Sequence, residues 1–178
     1  MKFDFPQVDL PCEILAWNDV TEDILNIYKQ SCRLKAGIFA ICTEGKMTAT
    51  INLIDYEIKP NDLITLLPGT IIQFRERTEK VRLCFAGFSS ECVERINLIK
   101  SMVSSFSKIT ECPIVELQED IASYLIDYFS LLARVTCDEK LSLPSEMTEV
   151  SLRSILTAVG LIYQRYSSKN HNTNLSLI

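Results

Sequence analysis

The chain of 178 residues reads as a small antiparallel β-barrel or sandwich followed by two to three helices. Three observations predict this. Between Ile38 and about Phe88, short apolar runs rich in β-branched residues are cut at regular intervals by turn residues. After Ser89 the apolar period changes from two residues to that of a helix. The balance of 47% hydrophobic to 23% charged residues is that of a globular chain. At this length about 70% of the unfolded surface can be hidden, so neither disulfide nor metal is needed for folding.

The elements follow in order. Ile14-Leu15-Ala16-Trp17 and Ile24 to Tyr28 are read as edge strands. Ile38 to Cys42 is a short apolar strand closed by the turn Thr43-Glu44-Gly45-Lys46. Met47, Ala49, Ile51 and Leu53 then alternate with Thr48, Thr50 and Asn52, the pattern of a half-buried strand. Tyr56 to Ile58 leads into Pro60-Asn61-Asp62, and Leu63 to Leu67 is separated from Thr70 to Phe74 by Pro68-Gly69. That pair signals a tight turn, because proline presets φ and glycine accepts φ > 0. A charged tip at Glu76 to Lys80, read as a solvated hairpin, and Val81 to Phe88 complete the strands.

Beyond Ser89, Val93, Ile96, Ile99, Val103 and Phe106 recur at helical spacing, with Ser90 placed to cap. A break around Glu111-Cys112-Pro113 precedes a helix over about Leu117 to Val135. It is apolar around more than half its circumference and should therefore be covered from two sides. A loop with Pro144 leads to a last helix, about Met147 to Tyr166. Its Leu152, Ile155, Val159, Ile162 and Tyr166 are spaced as an a/d seam, which suits either a partner chain or the chain's own core. Ser167 to Ile178 is polar and reads as a linker or frayed end.

Several chemistries lack their residues. The single histidine, His171, falls in the polar tail, so a Ser-His or Cys-His nucleophile has no base in the folded part, and a metal site built on imidazoles is not expected. No GxGxxG or GxxxxGK[ST] loop cradles phosphate. Net charge is −5, and the basic residues Arg75, Arg77, Lys80 and Arg82 are interleaved with Glu76 and Glu79, so these residues do not form a DNA-binding stripe. Seven cysteines without a CxxC pair argue for a reducing cytoplasm, MKFDFPQVDL lacks a signal peptide's features, and no apolar stretch approaches a membrane span.

The segment GKMTATINLIDYEIKPNDLITLLPGTIIQF, with FAGFSSECVERI after it, resembles the N-terminal regulatory domain of AraC-family transcription regulators. The shared cadence is a glycine turn, a strand, Tyr-x-Ile-x-Pro-Asn-Asp, an apolar strand and Pro-Gly. It covers Gly37 to Ile96 closely, and the following helices by arrangement only. The resemblance implies a cupin-like, jelly-roll-type barrel over residues 1–90 and a helical dimerisation segment over 91–168. It also implies a linker over 169–178 toward a helix-turn-helix domain that should follow. In metal-binding relatives of this barrel an imidazole follows the Pro-Gly turn; here Ile71, Ile72, Gln73 and Phe74 stand there, so no cofactor or metal is expected.

The expected function is to sense a small-molecule effector and to form a homodimer in the cytoplasm, with DNA met only through the further domain and no enzymatic activity. An apolar barrel interior is the default ligand site. The lining candidates are Trp17, Phe39, Ile41, Met47, Thr50, Leu66, Gln73, Phe74, Arg75, Arg82 and Cys84; the seam Leu152, Ile155, Val159, Ile162 and Tyr166 is the dimerisation candidate. Two alternatives remain: a stand-alone metal-free cupin enzyme of isomerase or epimerase type, and a cyclic-nucleotide-type β-roll sensor, whose phosphate cassette is not evident.

Overall fold

Turn chemistry and alternation together produce ten strands and five helices among the residues described by the computed structural model, which are 4–19, 22–78, 80–97, 103–137 and 142–175. The strands are β1 (Gln7–Val8), β2 (Ile14–Trp17), β3 (Cys32–Leu34), β4 (Gly37–Glu44), β5 (Met47–Ile51), β6 (Ile54–Ile58), β7 (Asp62–Leu66), β8 (Ile71–Arg77), β9 (Arg82–Phe88) and β10 (Ile114–Glu116). The helices are α1 (Glu22–Ile27), α2 (Ser90–Ile96), α3 (Val103–Glu111), α4 (Glu119–Cys137) and α5 (Ser145–Leu175).

Two five-stranded sheets result, in the orders β1-β3-β8-β5-β6 and β10-β7-β4-β9-β2. All pairings are antiparallel except β1 with β3. This is the β-rich, cupin-like fold class followed by helices that the sequence predicts. Most turns carry the chain from one sheet to the other. Pro68-Gly69 is one of these, and so is the charged tip after Arg77: β7 and β9 lie in one sheet and β8 in the other, so neither turn closes a hairpin. Gly69 takes φ 92°, Thr70 N–H donates to Leu67 O at 3.1 Å, and Gly69 N–H donates to Leu34 O at 2.7 Å. The turn is thereby anchored to β3 while it changes sheets.

Four further expectations are corrected. Leu53 is not on a strand: Asn52 (φ 48°) and Leu53 (φ 69°) form a two-residue turn of type I′ character between the paired Ile51 and Ile54. Ile24 to Tyr28 falls on helix α1 and its exit, where Leu25 and Tyr28, three residues apart, face the same core. Ser89, not Ser90, caps α2, accepting from Cys92 N–H at 3.3 Å. The helix after it does not run on through Phe106: Asn97 adopts the left-handed conformation (φ 53°) and ends α2, while Ile99 lies outside the described residues.

The core has two layers. Between the sheets lie Met47, Ala49, Ile51, Ile58, Ile64, Leu66, Ile72, Leu83 and Phe85. On the far side of the second sheet, Phe39, Ile41, Leu63, Cys84, Ala86 and Phe88 meet Leu125, Phe129 and Leu132 of α4 and Leu152, Ile155 and Val159 of α5. Helix α4 lies across β2 and β9, and α5 packs on α2 and α3. The helices therefore complete the second sheet's core. Among the described residues no helix is long and apolar enough to cross a membrane.

Candidate functional site

The inner layer does not fill the space between the sheets. A cavity of about 240 Å³ remains, somewhat below the usual range for small-molecule sites. Ile38 and Ala40 from β4, Ile64 and Leu66 from β7, Ile72 and Phe74 from β8, and Leu83 and Phe85 from β9 form its walls. Period-two alternation sets this: even-numbered positions of β4, β7 and β8 and odd-numbered positions of β9 face inward. Leu34, Leu15, Ile27 and Tyr28 complete the wall, and Asp9, Leu10 and Pro11 lie at one end. The Tyr28 and Phe74 rings meet edge to face at 5.6 Å.

The N-terminal segment is held over that end by specific contacts. A Cβ at Gly87 would stand 2.8 Å from Leu10 Cδ1, so Leu10 occupies the space a side chain on β9 would need. Asp9 accepts from Ser90 N–H at 3.0 Å, from the Ser90 hydroxyl at 2.5 Å and from Leu10 N–H at 2.8 Å. Burial alone would raise its carboxyl pKa, but these hydrogen bonds and the Lys35 charge outweigh it and hold the pKa below its ordinary 3.8. Burial pushes up the Tyr28 phenol. Farther along the segment, Glu13 receives Arg95 Nη1 at 2.7 Å, and Arg95 Nε donates to Glu149 at 2.9 Å. One guanidinium thus ties the N-terminal segment, α2 and α5 together, and its hydrogen bonds to both carboxylates raise its pKa.

Of the sequence-predicted lining residues, the structure brings Leu66 and Phe74 to the cavity. Met47 is buried between the sheets but is not on the wall. Phe39, Ile41 and Cys84 face the helices instead, Phe39 edge to face with Phe88 at 6.3 Å. Burial pushes the Cys84 thiol to about 12, which suits a small apolar filler and not a nucleophile. Thr50, Gln73 and Arg75 stand on the outer face of the first sheet. There Arg75 Nε donates to the Thr50 hydroxyl at 2.6 Å, and that hydroxyl donates to Asp55 at 2.5 Å. Gln73 Nε2 donates to Lys29 O at 2.9 Å. Arg82 is exposed and donates to Asp19, and Trp17 is 38% exposed at the end of β2.

The inward residues Ile38, Ala40, Ile64 and Phe85 are not legible as such in the sequence, because both faces of the second sheet are apolar. Every position of β7 is buried, so alternation does not say which face meets the cavity. Of the seam residues, Leu152, Ile155 and Val159 are buried in the chain's own core, Ile162 packs against that core from its edge, and Tyr166 is exposed. Their spacing satisfies α2, α3 and the chain's own core; a partner would have to find other residues. Among the described residues no three His, Cys, Asp or Glu side chains are grouped as an ion site requires.

No family model matches the chain, and no curated protein matches it in sequence. Solved structures are similar. Apo ToxT K231A from Vibrio cholerae strain SCE256 shares 11% identity at a TM-score of 0.47, over 86% of this chain and 58% of that one. The AraC-like transcriptional activator CuxR shares 10% at a TM-score of 0.41, over 82% of this chain and 47% of its own. ToxT bound to (E)-4-(8-methylnaphthalen-1-yl)but-3-enoic acid shares 12% at 0.37, over 84% and 53%. The chain thus spans about half the length of these proteins.

Proposed function

We propose that this chain is the effector-sensing and dimerising domain of an AraC-type transcription regulator acting in the cytoplasm. The observation that supports this most is the apolar cavity between the sheets. It is covered by an N-terminal segment whose polar contacts reach α2 and α5. A small molecule in that cavity would favour one arrangement of segment and helices, to the extent that its affinity differs between arrangements. A helix-turn-helix domain following this chain would then meet DNA.

Self-association would use the helical faces that the chain leaves open. Tyr124 and Leu131 on α4 and Met147, Val150 and Leu161 on α5 are exposed large apolar residues. Sedimentation velocity should show a dimer for the wild type and a monomer of unchanged fold for Leu131→Asp. A wild-type monomer at all concentrations would remove the dimer from this reading.

Ligand binding is tested with a panel of small metabolites, read by thermal shift and calorimetry, against wild type and Ala40→Phe. The phenyl ring would occupy the cavity from β4. At least one compound should raise the wild-type melting temperature and leave the folded variant unmoved. Equal shifts in both proteins, or none in either, would contradict a sensor built on this cavity.

A further inference from the structure

The cavity walls restrict the charge of whatever enters. Inside, Ile64, Leu66, Ile72, Leu83 and Phe85 present only carbon. No lysine, arginine or histidine is among the lining residues, and the one acidic group, Asp9, sits at the end covered by the N-terminal segment. Its carboxylate is kept ionised by the donors of Ser90 and Leu10. Tyr28 supplies the one uncharged polar side chain of the lining.

A carboxylate or phosphate entering this space would give up its water, find no cation among the lining side chains and approach the Asp9 carboxylate, whose nearby cation Lys35 lies outside the lining. An ammonium could meet Asp9 only at the edge and would be unpaired deeper in. An uncharged molecule meets neither cost, and its apolar surface gains from leaving water. The edge-to-face pair of Tyr28 and Phe74 adds an aromatic wall suited to a flat ring.

We infer that the cavity takes an uncharged, predominantly apolar small molecule and rejects carboxylates of the same size and shape. This rests on the reading of the cavity as the effector site.

The test is a pair of probes matched in size, naphthol and naphthoate, titrated at neutral pH into the full chain and followed by calorimetry. Naphthol should bind about tenfold or more tighter than naphthoate, since burying an unpaired charge costs at least that much affinity. A second protein, Ile27→Lys, places a cation at a lining position that is 60% exposed, so the substitution does not burden the fold. It should narrow or reverse the preference by strengthening naphthoate binding. Naphthoate binding as tightly as naphthol to the wild type would overturn the charge rule and leave a ligand site standing. A preference unmoved by Ile27→Lys would show that the discrimination lies elsewhere and overturn the assignment to this cavity. Binding of neither probe would overturn the rule together with the sensor reading.

Discussion

At the scale of single residues, two glycines at positive φ are required for different reasons. Gly69 (φ 92°) has open space within 4 Å of the point a Cβ would occupy, so Gly69→Ala meets only the torsional penalty, about 1 kcal/mol. Gly45 (φ 78°) would place a Cβ 2.2 Å from Lys80 O, a backbone atom that cannot step aside. Gly45→Ala should therefore cost clearly more, about 2–4 kcal/mol, in urea denaturation. Asp9 makes a pH prediction. Its folded pKa lies below its ordinary 3.8, so its stabilisation is present above that value and lost as pH falls through the folded pKa. Wild type should unfold at higher urea than Asp9→Ala from neutral pH down to about that point, and the gap should close below it. A gap that persists undiminished in stronger acid would deny the carboxylate's role.

At the scale of elements, legibility in the sequence depends on whether one face or two are buried. In β5 the alternation of Met47, Ala49 and Ile51 with threonines marks the inward face directly, because the other face meets solvent and Arg75. In β4, β7 and β9 both faces are apolar, one toward the cavity and one toward α4 and α5, so Phe39 and Ile41 are indistinguishable from Ile38 and Ala40. The Asn52-Leu53 turn is hidden for another reason: leucine at positive φ carries no turn signature, where Asn-Gly would. β10 escapes notice because three residues are too few to show a period; it exists by pairing with β7. The seam on α5 is visible, but its partner is not. Val159→Asp decides this at the element scale: it buries an unpaired charge in the core that α5 shares with α2 and α3, which should cost about 3–5 kcal/mol and shift the denaturation midpoint accordingly. A variant that keeps its stability and only loses self-association would place the seam between chains.

At the scale of the whole molecule, the cavity and the last helix are connected by short polar links. Asp9 joins the covering segment to α2, and Arg95 joins that segment through Glu13 to Glu149 on α5. A ligand that settles the segment should slow amide exchange in the first turns of α5. Arg95→Met should leave protection of the barrel strands intact and remove that effect on α5. Protection of α5 that survives the substitution would mean the connection runs through the shared apolar core instead.

A sensor role stands or falls on where a small molecule binds. A methyl-labelled NMR titration with naphthol answers this most directly, because isoleucine and leucine methyls mark both core layers. Ile38, Ile64, Leu66 and Ile72 should shift first and together, while Ile41 and Leu125 in the helix-side layer respond less. Shifts confined to the exposed Leu131 and Leu161, or no shift at the cavity methyls, would contradict a ligand site inside the barrel.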